Sequence, residues 1–120
     1  MDIERLREVL VECIDYSILA GWEGDSLRVA YKELVNCLSD EENRRVLESF
    51  NLESSEIADL IWDEFSDRIR DIIRRAREEY AECIESEWSE EEASDYIKDS
   101  IIYPEAEKIA DRVLEKLKLA

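Results

Sequence analysis

The chain contains no histidine, threonine or glutamine, and only one proline and two glycines. Each scarcity removes a class of chemistry. Without histidine there is no E-x-x-H pair for a ferritin-like di-iron centre, and no Ser-His-Asp or Cys-His nucleophile. With two glycines there is no loop to cradle a phosphate; "GWEG" at 21–24 has neither the length nor the lysine of a P-loop. No apolar run approaches the roughly 18 residues that would suggest a membrane span. The opening "MDIERLREVL" carries charge where a signal peptide would be apolar, so a cytoplasmic protein is expected. Runs of alternating apolar and polar residues bounded by turn signals are also missing, so no strand is predicted.

Cysteine is scarce as well. Cys13, Cys37 and Cys83 are odd in number, far apart and outside any C-x-x-C spacing. Each lies in an apolar local pattern (VECI, VNCL, AECI), so all three are expected to be small core residues of a reduced protein, with neither a disulfide framework nor a thiolate metal site.

What is present is the vocabulary of helices: 45% hydrophobic and 41% charged residues, rich in Glu, Arg, Leu, Ile and Ala. At 120 residues the chain reads as one domain over 1–120, long enough to bury about two-thirds of the surface exposed when unfolded. Few amides beside abundant Glu and Arg is a thermophile-like bias. The net charge is −17, with 33 acidic against 16 basic residues. A field of that sign repels phosphate backbones and anionic lipid, so neither nucleic acid nor membrane is expected as a direct partner, and a basic protein is.

Apolar periodicity predicts an all-α fold, a bundle of five or six helices around one long helix. Asp2 caps a first helix to about Ala20 with Gly21 as its stop, and Asp25 caps a second carrying Leu27, Ala30, Leu34 and Leu38. In "SDEE", Ser39 and Glu42 have the spacing of a capping box that would open a short third helix. After a break at 51–55, a stripe of Ala58, Ile61, Phe65, Ile69, Ile72, Ala76, Tyr80 and Cys83 runs without interruption from Ser55 to about Glu87. At 1.5 Å per residue that is roughly 45 to 50 Å of helix. It is longer than its neighbours can cover, so association of two copies through it is expected. "WSEEEA" repeats the capping-box signature at Ser89 and Glu92, with Trp88 placed to staple onto Ala93. Pro104 suits the first turn of a last helix and would kink a continuous one.

Three groups of residues could carry function. Glu79 with Glu82, and Glu92 with Asp95, have the E-x-x-E and E-x-x-D spacing by which all-α nucleotide pyrophosphohydrolases bind a divalent metal. Chance predicts about six E-x-x-[DE] matches in such a composition, and the chain holds eight. The spacing therefore carries almost no information. The second group is basic: Arg70, Arg74 and Arg77 share one helical face, a candidate for an anionic or self contact. Pairing with the chain's own acidic segment, or across a homodimer, is favoured there over nucleic acid.

The third group is "ECIESEWSEEEASD", residues 82–95, with seven carboxylates and no basic residue. Capping explains Glu90, Glu91 and Glu92, which sit where a helix dipole favours negative charge. It does not explain Glu82, Glu85, Glu87 or Asp95. From Glu78 to Asp99 there are ten acids against Lys98 alone. Glu85, Glu87, Trp88, Glu90, Glu91 and Asp95 are accordingly the predicted partner-binding residues. The expected function is non-catalytic: a small acidic regulator or inhibitor, of the immunity, antitoxin or nucleic-acid-mimic kind, occupying a basic surface of another protein and needing no cofactor. A metal-dependent all-α enzyme and a structural subunit of a larger assembly are the alternatives.

Overall fold

A computed structural model describes residues 2–24 and 26–119, which contain helices and no strand. Six α-helices follow one another: α1 Ile3–Gly24, α2 Leu27–Ser39, α3 Glu41–Glu48, α4 Ser54–Glu85, α5 Glu90–Ile97 and α6 Tyr103–Lys116. A π-helical turn, Lys98–Ile102, joins α5 to α6 without a break. The molecule is 48 Å along its longest axis, about the length that the 32 residues of α4 span at 1.5 Å each.

Helix α1 shares the centre with α4. It packs against α2, α4 and α6, while α4 also meets α2, α5 and α6. The largest fully buried side chains are all leucine or isoleucine, among them Leu6, Leu10, Ile14 and Ile18 of α1, Leu34 and Leu38 of α2, and Ile61 and Ile69 of α4. Each contributes about 1.5 to 3 kcal/mol by leaving water. The apolar stripe of α4 is consumed within the chain: Ile57, Ala58, Ile61, Phe65, Ile69, Ile72, Ile73, Ala76 and Cys83 are buried. Of its large apolar residues only Ile84 stands exposed, at 39%. Leu60, Trp62 and Tyr80 of the same helix are half-buried.

Gly21 does not stop α1, which runs on to Gly24. It permits close approach: a Cβ built there would lie 2.5 Å from Ile73 Cδ1 and 3.0 Å from Ala30 Cβ, so α1, α2 and α4 converge at this residue. Beside it the buried Ser17 hydroxyl donates to the Ala30 carbonyl at 2.6 Å, tying α1 to α2. The predicted cap at Asp25 lies outside the described residues; Ser26 caps α2, its hydroxyl accepting from the Arg28 amide at 3.1 Å. Asp2 does cap α1, accepting from the Glu4 amide at 3.0 Å.

Two further expectations are corrected. Ser39 is the last residue of α2, not the cap of α3; Asp40 serves both helices as terminus and makes no side-chain cap. A one-residue joint leaves no room for a separate capping box. Cys13 and Cys37 are not thiols but a disulfide bridging α1 and α2, and Cys83 alone is free. The Asn43 amide of α3 donates to the Cys37 carbonyl at 2.9 Å and lies 3.6 Å from both sulfurs, so a buried polar side chain covers the bridge and binds the end of α2.

Pro104 falls in the first turn of α6. Its ring supplies no amide for the carbonyl four residues back and would crowd it. The preceding turn widens instead, the Tyr103 amide donating to the Lys98 carbonyl five residues earlier. The extra residue lets the consecutive Ile101 and Ile102 both face the core.

Candidate functional site

The three tryptophans all sit at the margin of this aliphatic core, and each meets a tyrosine edge to face: Trp22 with Tyr80, Trp62 with Tyr31, and Trp88 with Tyr96. All four residues of the first two pairs are half-buried, and Trp22, Tyr80 and Trp62 pack on the core. The third is open to solvent, with Trp88 42% and Tyr96 38% exposed. The open pair stands inside the acidic segment.

The way α4 ends explains this placement. Glu87 adopts a left-handed backbone at φ 67°, its amide donates to the Ile84 carbonyl, and the Trp88 amide donates to the Cys83 carbonyl, both at 3.0 Å. These are the two bonds of a Schellman motif, which brings the residue two beyond the cap back over the last turn. Trp88 therefore returns over Cys83 and meets Tyr96 of α5 edge to face. Ser89 then opens α5 with both bonds of the expected capping box: its hydroxyl accepts from the Glu92 amide at 3.1 Å and Glu92 Oε1 accepts from the Ser89 amide at 3.4 Å.

Between the end of α4 and α5 lies a cavity of about 310 Å³, walled by Glu79, Glu82, Cys83, Ser86, Trp88 and Tyr96. Around it Glu82, Glu85, Glu87, Glu90, Glu91, Glu92 and Asp95 are all exposed. Among the described residues none of these seven makes an ion pair. Some carboxylates elsewhere are matched: Asp111 and Glu107 hold Arg7 at 2.7 and 3.6 Å, Glu105 holds Arg68 at 2.8 Å, and Glu64 holds Lys116 at 3.3 Å; with 33 acids against 16 bases, others are exposed as these seven are. Pairing lowers the carboxyl pKa of Asp111 and Glu105. The hydrogen bond from Arg7 keeps the Asp111 carboxyl below its ordinary pKa. Burial pushes Glu105 up, but Arg68 and Lys108 outweigh it and the net shift is downward.

Arg70 and Arg74 of the arginine face pair with carboxylates of their own helix outside the acidic segment. Arg70 binds Asp67 at 3.1 Å and Arg74 binds Asp71 at 3.3 Å, each one turn back along α4. Arg77 donates to the Gly21 carbonyl at 3.3 Å. With Ser26, Leu27 and Ile73 the three arginines border a cavity of about 320 Å³ between α2 and α4. Arg68 and Arg75 choose Glu105 and Glu79 over the Glu64 and Asp71 that helical spacing offers. Two carboxylates considered for metal binding, Glu79 and Glu82, do share a cavity wall, whereas Glu92 is engaged as a cap. Among the described residues no three Cys, Asp or Glu side chains gather as a metal site would require.

Sequence reasoning missed Tyr96 and Cys83 as site residues. A signal for Tyr96 was available: it lies seven positions after Ser89, on the turn of α5 that faces back toward α4. It also missed Asp15, half-buried beside Tyr16 and Tyr103 in a cavity of about 280 Å³. Burial pushes the Asp15 carboxyl up, Lys98 opposes this, and Asp99 and Glu12 add to it.

Compared with protein-family models, with characterised proteins and with solved structures, the chain finds no match, so its functional reading rests on this geometry. Among the described residues no helix is long and apolar enough to cross a membrane.

Proposed function

We propose that the protein is a non-catalytic binding module whose acidic end, formed by the last turn of α4, the Schellman turn and α5, engages a basic surface of a partner protein. One observation carries this reading: seven exposed carboxylates over residues 82–95 have no ion-pair partner among the described residues, while Arg70, Arg74 and Arg75 in the middle of the same helix pair with carboxylates of that helix. Like charges at helical spacing repel by a few tenths of a kcal/mol per pair. The free protein bears that cost, and a cationic partner would relieve it while being steered in by the field.

Glu85, Glu87 and Asp95 are fully outside the core and make no cap, so reversing them to Lys leaves the helices their structural support. The test compares wild-type and triple-variant protein as bait in extracts of the source cells, with retained proteins eluted by a salt gradient. A basic protein that the wild type holds at low salt and the variant loses supports the reading. Equal retention by both baits refutes it. The circular dichroism of the variant is expected to match wild type, which separates lost binding from lost folding.

A further inference from the structure

The cavity within this acidic end has a lining more specific than charge. Its walls combine two carboxylates one turn apart, Glu79 and Glu82, with an aromatic pair whose ring centres are 5.5 Å apart and whose planes meet at 74°. An edge-to-face pair leaves the faces of the edge-on ring uncovered by its partner, and aromatic faces attract cations. Both rings are open to solvent here, unlike those of the other two pairs. Of the Glu79 carboxylate at the wall, Oε2 is buried and accepts no hydrogen bond, while the side chain as a whole is about one-third exposed. Among the described residues its ion-pair partner is Arg75, whose Nε stands 3.8 Å away, too far for a hydrogen bond. Glu82 makes no ion pair.

We propose that this cavity receives an arginine side chain of the basic partner, with the guanidinium against the Trp88–Tyr96 pair and its N–H groups toward Glu79 and Glu82. The proposal rests on the preceding reading of the acidic rim and deepens it: the rim attracts, the cavity fixes register. Guanidinium suits the site better than ammonium for three reasons. It is planar and stacks on aromatic rings, it offers five donors to carboxylates on one wall, and it gives up its hydration more readily. A cavity of about 310 Å³ also exceeds what an ammonium group needs.

The test uses the whole protein labelled with nitrogen-15 and three small probes: the N-acetyl, N-methylamide derivatives of arginine, of citrulline as the neutral isostere, and of lysine. The three indole N–H signals are assigned by Trp22→Phe, Trp62→Phe and Trp88→Phe. The arginine probe is expected to shift the Trp88 indole and the Cys83 amide saturably, with a Kd on the order of 1 to 10 mM, leaving the Trp22 and Trp62 indoles in place. Citrulline is expected to bind at least about tenfold more weakly, since it keeps the shape and loses the charge. Tyr96→Leu and Glu82→Gln, both at exposed positions, are each expected to weaken the arginine response several-fold with the fold intact.

An unresponsive Trp88 signal, or a citrulline response equal to that of arginine, overturns the proposal, and a lysine probe binding as tightly as arginine overturns the guanidinium assignment. The rim triple variant keeps every cavity residue and separates the two readings. If it loses the partner while the arginine probe never saturates Trp88, the rim reading stands and the cavity proposal falls. If the probe saturates Trp88 while the triple variant still holds the partner, the cavity stands as an arginine site and the rim reading falls.

Discussion

Reduction of the Cys13–Cys37 bridge is the perturbation with the largest effect that the structure allows one to calculate. The bridge closes a segment whose ends are 24 positions apart. In the chain-entropy description, opening such a loop returns to the unfolded state about 11 to 12 cal/mol/K, so the folded state loses about 3.5 kcal/mol at 25 °C. For a chain of 120 residues, an unfolding entropy of about 2.1 cal/mol/K per residue converts this to a fall in Tm of about 10 to 15 °C. Little native packing is expected to be lost in exchange, because the 2.9 Å bond from Asn43 goes to the Cys37 carbonyl and not to the bridge itself.

The assay is thermal unfolding followed by circular dichroism, with and without a phosphine reductant, on the wild type and on Cys13→Ser/Cys37→Ser. Reductant is expected to lower the Tm of the wild type to that of the double variant and to leave the variant unchanged. Thiol titration of the denatured, unreduced protein is expected to find one group, Cys83, and three after reduction. Three thiols before reduction, or a Tm that moves by less than about 2 °C on reduction, would refute the reasoning. The same titration on cells lysed directly into alkylating agent reports whether the bridge exists where the protein works. A bridge there implies an oxidising compartment or the disulfide-tolerant interior of a hyperthermophile.

Three smaller perturbations follow from the fold. Gly21→Ala places a methyl against Ile73 and Ala30 and is expected to cost about 1 to 3 kcal/mol in urea unfolding; a neutral result would show that α1, α2 and α4 are loosely joined there. Asp15, whose folded pKa is raised by burial, contributes stability that is complete below its unfolded pKa and is lost as pH rises through the folded value. Asp15→Asn is therefore expected to stabilise at pH 7 by a fraction of a kcal/mol and to lose that advantage near pH 3, with unfolding midpoints at the two pH values as the check. Glu87→Gly relieves a left-handed glutamate and is expected to stabilise by up to about 1 kcal/mol while weakening partner binding; destabilisation would show that the Glu87 side chain supports the turn.

Fold class was legible because periodicity and burial share one cause. The stripe from Ala58 to Cys83 was visible in the sequence, and its members Ala58, Ile61, Phe65, Ile69, Ile72, Ala76 and Cys83 are buried; α4 begins one residue before the expected Ser55 and ends two before Glu87. The capping box at Ser89 was legible for the same local reason, while that at Ser39 failed because tertiary packing put α2 and α3 in succession with one residue between them. The disulfide escaped a rule based on cysteine number and spacing, yet geometry held a signal. Two antiparallel helices joined by a short turn bring positions equally far from that turn to one level, and the midpoint of Cys13 and Cys37 falls in the α1–α2 turn. The cavity at Trp88 was out of reach, since it depends on a left-handed residue at a position where a sequence normally announces such a turn with glycine.

That missing glycine connects the stability of the molecule to its charge. Asn51, Glu87 and Lys118 are all left-handed, and each follows a helix whose closing amides return to carbonyls of the last turn: Leu52 to Leu47, Trp88 to Cys83 and Leu119 to Leu114. The chain ends three helices with the same motif and uses glycine for none. At each site a non-glycine residue costs of order 1 kcal/mol in backbone strain. At Asn51 the cost is smallest, because asparagine visits this region readily. At Lys118 a cation near the end of α6 is compensated by the helix dipole. Glu87 has no such compensation: a carboxylate following a helix C-terminus opposes the dipole, and the six other carboxylates of residues 82–95 repel it. Strain, dipole and repulsion all favour another residue at position 87. Under the proposed reading a cation of the partner favours glutamate there, so Glu87→Gly is expected to raise stability while lowering partner binding.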